Sequence, residues 1–340
     1  MADTAGFGVI GLGVWGEAHL EAYSSTPQAR LVAVCDLNEE LLRERVEKYH
    51  PDFSTTDYRE LLAREDVEAV SVVTPDFLHR EIALAAIEAG KHVILEKPMA
   101  TSVEDAEAIA GAAERAGVKV MVDFHNRWNP AMVAARQAIA SGEMGEPQMA
   151  SIRLNDTLYV PTGMLSWARG STVVWFLGSH SVDLVRWLFH DEVVRVYAVS
   201  RSRVLAQQGV DTPDFFQYIL ELARGGVAHI ENCWIMSESM PTVFDFKVEL
   251  IGSEGTIFAD CSSHRTVQKY TRDGASYPDV AVRTNVHGRP GGFGIESIRH
   301  FVRAVVAGEG LLVSLEDGVR NTRVLVAVHE SAEKGQPVAL

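Results

Sequence analysis

Phe7-Gly8-Val9-Ile10-Gly11-Leu12-Gly13-Val14-Trp15-Gly16 is the stretch on which the fold turns. Four residues of short strand run without a gap into Gly-x-Gly-x-x-Gly, and a helix is expected from near Glu17. The three glycines do separate work. Gly11 permits a tight turn, Gly13 lets the backbone approach a pyrophosphate, and Gly16 lets helix and strand pack closely. The free N–H groups of the helix then face the phosphates, and Val14 and Trp15 inside the turn join the cofactor-binding set. Such a run alone is a weak signal. Its surroundings strengthen it, because Leu31-Val32-Ala33-Val34-Cys35 reads as a second strand ending in Asp36. That acid stands about 20 residues beyond the loop, where a carboxylate accepts from both ribose hydroxyls. A carboxylate repels a ribose 2′-phosphate, and Leu37-Asn38 brings no arginine, so the pattern favours NAD over NADP. A structural role for Asp36, as N-cap of a helix through Leu41 and Leu42, is compatible with this one.

The alternation continues outward. Asp57 to Leu62 reads as a short helix, Val70 to Val73 as a buried strand, and Thr74-Pro75 as a loop at its carboxyl end. A helix containing His79 follows, and Gly90 reads as its left-handed stop. His92-Val93-Ile94-Leu95 is then a buried strand that runs straight into Glu96-Lys97-Pro98. Ligands of an open α/β sheet sit beyond the carboxyl ends of its strands. Thr74, Pro75, His79, Glu96 and Lys97 are therefore cofactor-contact candidates. Lys97, whose backbone the following proline restricts, is the candidate reactive centre. The competing reading of residues 96–98 is a solvated strand end. Thr101-Ser-Val-Glu104 looks like a capping box for another helix, and Val118 to Asp123 like another strand. Strands alternating with helices predict an α/β fold, a right-handed, doubly wound parallel sheet forming an N-terminal Rossmann domain over residues 1–125.

The bulk numbers exclude several classes. The chain has 340 residues, 47% hydrophobic and 23% charged, enough for two domains with real cores. A formal charge of -15 with no basic cluster argues against nucleic acid and against a membrane surface as partners. There is no leader-like N-terminus and no long apolar run, and Cys35, Cys233 and Cys261 lack disulfide or zinc spacing. A cytoplasmic protein with packed, reduced thiols is expected. No His/Asp/Glu group shows recognisable metal spacing along the chain.

From about Phe124 the texture changes. Asn126 to Pro130 reads as a connector into a helix over Ala131 to Ser141. Val193–Val204, Phe215–Leu222, Val227–Ile235 and Val243–Leu250 then alternate as half-buried strands, with Gly225-Gly226 as a hairpin turn. They predict a C-terminal α+β domain over residues 126–340, with a large, mostly antiparallel open sheet and helices on one side. His287-Gly-Arg-Pro-Gly-Gly-Phe-Gly294 reads as a flexible segment, either closing over a ligand or simply linking. Ile295, Ile298, Phe301, Val302 and Val305 repeat at helical spacing, and a last helix is expected over about 316–334.

Together these motifs resemble the Gfo/Idh/MocA oxidoreductases, the group that includes glucose–fructose oxidoreductase and inositol dehydrogenase. The resemblance rests on the glycine run with His19 three residues on, Thr74-Pro75 with His79, and Gly90-Lys91-His92-Val93 leading to Glu96-Lys97-Pro98. Gly178-Ser-His180-x-x-Asp183-x-x-x-Trp187-Leu188 and Glu316-Asp317-Gly318 extend it over essentially the whole chain. It implies a nicotinamide cofactor, a sugar-like or cyclitol substrate, Lys97 as a catalytic lysine beside the nicotinamide, and a homodimer or homotetramer. It also implies that the last helix packs back towards the first domain.

One position departs from that pattern. Relatives carry an acid four residues before the histidine, stacked with it on a helix, and this chain has Phe176 there. Three readings of His180 follow. It is a general base oriented by Asp183 or another acid, or a binder of a substrate hydroxyl while Lys97 moves the proton, or a packed core residue. Asp123, His125, Arg127, Asp156, Trp167 and Asp183 complete the substrate-binding candidates, with Asp123 able to supply the missing carboxylate; solvated loop polarity is their alternative. The expected chemistry is hydride transfer between a secondary alcohol and NAD. Its rivals are a redox-neutral enzyme that retains NAD and a non-catalytic NAD- and sugar-binding regulator.

Overall fold

The computed structural model describes residues 4–262, 266–272 and 274–340. The chain divides into two compact units, one of residues 1–128 with 281–319 and one of residues 129–280 with 320–340.

The first unit is built on six parallel strands: β1 Ala5–Ile10, β2 Ala29–Cys35, β3 Phe53–Thr55, β4 Ala69–Val72, β5 His92–Leu95 and β6 Val120–Val122. Their order is β3-β2-β1-β4-β5-β6. The order reverses between β1 and β4, which opens a crevice at the carboxyl ends of both strands. β1 and β4 are buried along their whole length, as strands covered by helices on both faces must be. Gly90 ends the helix His79–Glu88 as expected, with φ 72°. The first helix spans Val14–Ser25 and so starts three residues before Glu17, because Gly13 itself serves as N-cap. The capping pair of the helix Val103–Ala116 is Ser102 with Asp105 N–H, one residue along from the expected Thr101 and Glu104.

Residues 281–319 belong to this unit, although the sequence boundary at 125/126 assigns them to the second domain. The cause is the helix Phe293–Ala307, which places Ile295, Ile298, Phe301 and Val302 in the first core. There Phe301 meets Phe7 edge-on at 6.4 Å. The segment expected to be flexible is an ordered hairpin, Thr284–Val286 with Arg289–Gly291. It is tied down where Arg283 Nε donates to Glu21 Oε2 at 2.7 Å.

The second unit carries a seven-stranded sheet of β7 Pro147–Thr157, β8 Val193–Arg201, β9 Phe215–Leu222, β10 Val227–Met236, β11 Phe244–Gly252, β12 Thr256–Asp260 and the short pair Val338–Ala339. The order is β12-β11-β7-β10-β9-β8 followed by 338–339, antiparallel except for β7 with β10. Alternation sorts its faces: Phe246, Val248 and Leu250 of β11 are buried while Glu249 and Ile251 are exposed. One face packs with the helices Pro130–Ala140 and Ser179–Phe189, and with Val324, Leu325, Ala327 and Val328 of the helix Leu315–Lys334. The last helix therefore contributes most of its length to the second core. Cys35 is buried, the other two cysteines are half-buried, and all three are free thiols. Among the described residues no helix is long and apolar enough to cross a membrane.

Candidate functional site

The crevice of the first unit begins at the glycine turn. Gly11 has φ 93°, and a Cβ there would stand 2.2 Å from the Val73 carbonyl oxygen. At Gly16 a Cβ would stand 2.1 Å from the Gly11 carbonyl oxygen, so the helix touches the turn through backbone alone. At Gly13 nothing lies within 4 Å of that position, and Val14 is exposed. The first helix has no side-chain cap, which leaves its leading N–H groups for a ligand. Asp36 Oδ2 accepts from Leu12 N–H at 2.7 Å and Oδ1 from Asn38 N–H at 2.8 Å, so the acid braces the turn it serves. It is not the cap of the next helix. Asn38 is, accepting from Glu40 and Leu41 N–H.

Lys97 follows β5 and is half-buried, with the Lys97-Pro98 peptide cis. Its turn is clamped by His79, whose Nδ1 lies 2.7 Å from the Pro98 carbonyl oxygen and whose Nε2 lies 3.0 Å from that of Thr74. Burial drives the His79 pKa down to about 4; the two carbonyls favour the protonated ring but do not offset that penalty. His79 is thus a brace between the Thr74 and Pro98 loops, 1% exposed, not a residue facing the open crevice.

Glu96 likewise turns inward. Its Oε1 lies 3.1 Å from His19 Nε2, His19 Nδ1 lies 2.9 Å from Ser71 Oγ, and that oxygen lies 2.6 Å from the Tyr23 hydroxyl. Asp123, at the end of β6, joins them: one donor atom each from His19, Glu96 and Asp123 lies within 4.8 Å of the others. All three side chains are buried. Asp123, a substrate candidate by sequence, is wholly inaccessible because it faces this cluster. His125 Nδ1 stands 3.9 Å from Asp123 Oδ2, an electrostatic neighbour beyond hydrogen-bond range. The His125 ring lies against Trp15 at 4.8 Å and Phe293 at 5.8 Å. Arg127, also a substrate candidate by sequence, is 7% exposed. It is engaged by both oxygens of Asp317 at 3.2 Å and by the Leu312 carbonyl at 2.9 Å. A fork pinned in this way is structural.

In the second unit His180 is the second residue of the helix Ser179–Phe189, 6% exposed, and Asp183 one turn on is 1% exposed. The Ser179 carbonyl accepts from Asn321 Nδ2 at 2.9 Å, which fixes the start of that helix. Phe176 lies in a π-helical turn, Val174–Gly178, so its stacking over His180 departs from the α-helical spacing assumed from sequence. Its ring packs against Trp167 at 6.2 Å and Trp234 at 5.9 Å, so its surroundings are aromatic and apolar. Asp156 is buried near the end of β7, opposite Phe244, within the strand and not beyond it.

Residues 5–124 match the profile of the oxidoreductase family with an NAD-binding Rossmann fold, and residues 132–258 match the GFO/IDH/MocA C-terminal domain. Levoglucosan dehydrogenase of Pseudarthrobacter phenanthrenivorans is 30% identical over 380 residues, covering 96% of each chain. The chain belongs to the Gfo/Idh/MocA family. Myo-inositol 2-dehydrogenase of Thermotoga maritima is 28% identical over 98% of each chain. GenD2 from gentamicin A biosynthesis, solved in complex with NAD, superposes with a TM-score of 0.89 at 26% identity, over 100% of this chain and 97% of its own.

As a Gfo/Idh/MocA oxidoreductase the chain has an NAD-binding first domain, and its residues fit the dinucleotide. The open space over Gly13, the uncapped helix and the braced Asp36 suit pyrophosphate and ribose. Trp15 Nε1 and Thr74 Oγ1 are shielded from solvent and make no hydrogen bond among the described residues, so both can serve a ligand. Reading by motif misses Ser71, Tyr23 and Arg283. Only Ser71 carries a signal, as a hydroxyl within the otherwise apolar strand Ala69–Val72.

Proposed function

We propose that the protein is an NAD-dependent dehydrogenase that interconverts a secondary alcohol and a ketone on a sugar, sugar-derivative or cyclitol ring. Bound NAD supplies the hydride acceptor. Lys97 accepts the hydroxyl proton in oxidation and returns it in reduction, and as an ammonium it favours the developing alkoxide. The observation that carries the reading is the placement of Lys97: a half-buried lysine beyond β5, on a turn held by His79 at Thr74 and Pro98, in the same unit as the glycine turn. His180 and Asp183 recognise substrate hydroxyls through hydrogen bonds. The names of the relatives, dehydrogenases of inositol, apiose and levoglucosan, support a polyhydroxylated ring. The test is a screen of inositols, sugars and sugar acids for NADH formation. Sustained NADH formation with a ring polyol supports the reading. Conversion of a sugar without net NADH points to the redox-neutral alternative.

A homo-oligomer formed through the outer face of the second sheet belongs to the same proposal. Phe258, Glu249, Ser151, His229, Ile219 and Tyr197 form one row across that face by register. Phe258 is 73% exposed, and Ile219 and Tyr197 are about two-fifths exposed. Apolar side chains interleaved with polar ones suit a second copy of the same surface.

A further inference from the structure

Glu96 and Asp123 have no part in the hydride-transfer scheme, yet they end two adjacent strands and meet beneath the Lys97 turn. β5 and β6 pair in parallel with Leu95 opposite Val122, so the next residue on each strand enters the same space. Glu96 is 6% exposed and Asp123 is 0% exposed. Two carboxylates this close and this dry do not both ionise, because neither has water to spread its charge. A proton held between them relieves such a pair.

The groups facing the pair decide which acid keeps the proton. His19 and Tyr23 approach from the first helix, Ser71 from β4, Lys97 from its own turn, His125 from the segment after β6, and Ser297 from the helix Phe293–Ala307. Burial, and then the charge of Asp123, push Glu96 well above the usual carboxylate range. Burial would raise Asp123 too, but its neighbours, His125 first and Ser297 after it, outweigh that and hold this carboxyl low. Burial keeps the His19 ring neutral, with its pKa down at about 4. The cluster therefore carries one negative charge, centred on Asp123.

We propose that Glu96 and Asp123 share a single proton beneath Lys97, and that Asp123 is a positioning residue whose buried charge, relayed past the neutral Glu96 acid, favours the protonated lysine. The proposal rests on Lys97 as the proton carrier and adds what sets the pH at which it works. An anion beneath an ammonium raises the pH at which the lysine gives up its proton.

The shared proton is read by infrared spectroscopy of the full-length protein at pH 8, without reference to turnover. The native protein should show the carbonyl stretch of one protonated carboxyl. The band should vanish in Glu96→Gln, whose amide matches the neutral acid in shape. In Asp123→Asn it should titrate away at lower pH, since Glu96 is then free to ionise and inherit the charge. Removing the charge altogether takes both changes. In the double variant the Lys97 limb of the kcat/KM profile should move roughly one pH unit lower, as expected for loss of a close opposite charge. In Glu96→Gln alone that limb should stay in place. Absence of the band in the native protein, or its survival in Glu96→Gln, overturns the shared proton. A band that behaves as described, with an unmoved limb in the double variant, overturns the positioning role. Loss of the Lys97 assignment itself would show separately, as turnover in a Lys97 variant with the band intact.

Discussion

An alanine at Gly11 would carry its Cβ at φ 93° and 2.2 Å from the Val73 carbonyl oxygen. Strain of this kind costs about 1–3 kcal/mol, and the turn must also shift against the path of the pyrophosphate. Gly11→Ala is expected to weaken NAD binding at least tenfold, on the order of 1.4 kcal/mol, as measured by calorimetric titration. Asp36→Asn keeps an acceptor for Leu12 N–H but loses the charge that opposes a 2′-phosphate. NAD affinity should fall and the preference for NAD over NADP should narrow by roughly tenfold, the scale of one charge-assisted hydrogen bond. An unchanged ratio would remove Asp36 from cofactor selection. The glycines and Asp36 are legible in the sequence because their work is local to one strand–turn–helix unit. Asp123 and Arg127 mislead for the opposite reason: their partners Glu96 and Asp317 lie far along the chain, and only the strand order and the helix Leu315–Lys334 bring them close.

Helices are legible where their termination is local and shifted where a neighbour competes. Gly90 stops its helix as expected, but the cap expected at Thr101 falls on Ser102, whose hydroxyl takes the Asp105 N–H. Ser102→Ala should cost about 1 kcal/mol of stability, visible in urea unfolding, whereas Thr101→Ala should leave the cap intact. The helix Phe293–Ala307 shows a limit of periodicity. Its apolar stripe is plain in the sequence, but a stripe does not say which core it enters, and this one enters the first. The π-helical turn at Val174–Gly178 gives no sequence signal either, since an inserted residue in a helix is invisible to a pattern of apolar spacing.

Over the whole molecule, buried histidines tie stability to acid pH. His19, His79 and His329 each have a native pKa pushed by burial to about 4, below the ordinary 6.5. The unfolded chain therefore takes up protons that the native one refuses. Their contribution is complete above pH 6.5 and is lost as pH falls from 6.5 towards 4, by up to roughly 3 kcal/mol for each group. Glu96 acts with the opposite sign: its raised pKa favours the native state at low pH and costs stability as pH rises above 4.5. Urea unfolding between pH 7 and pH 4.5 should show a steep loss, shallower in His329→Gln; a flat profile would contradict burial of neutral histidines. At this scale Phe258→Glu together with Tyr197→Glu should dissociate the proposed oligomer in sedimentation, and an unchanged mass would contradict an interface on this face.

The placement of one lysine carries the account, and a paired measurement on Lys97→Met tests it: NAD affinity by calorimetry and NADH formation with a ring polyol that the native protein oxidises. Affinity within a few-fold of native with turnover reduced about a thousandfold or more is the predicted result, since the variant loses both proton transfer and a charge at the reacting oxygen. Turnover near the native rate would contradict it.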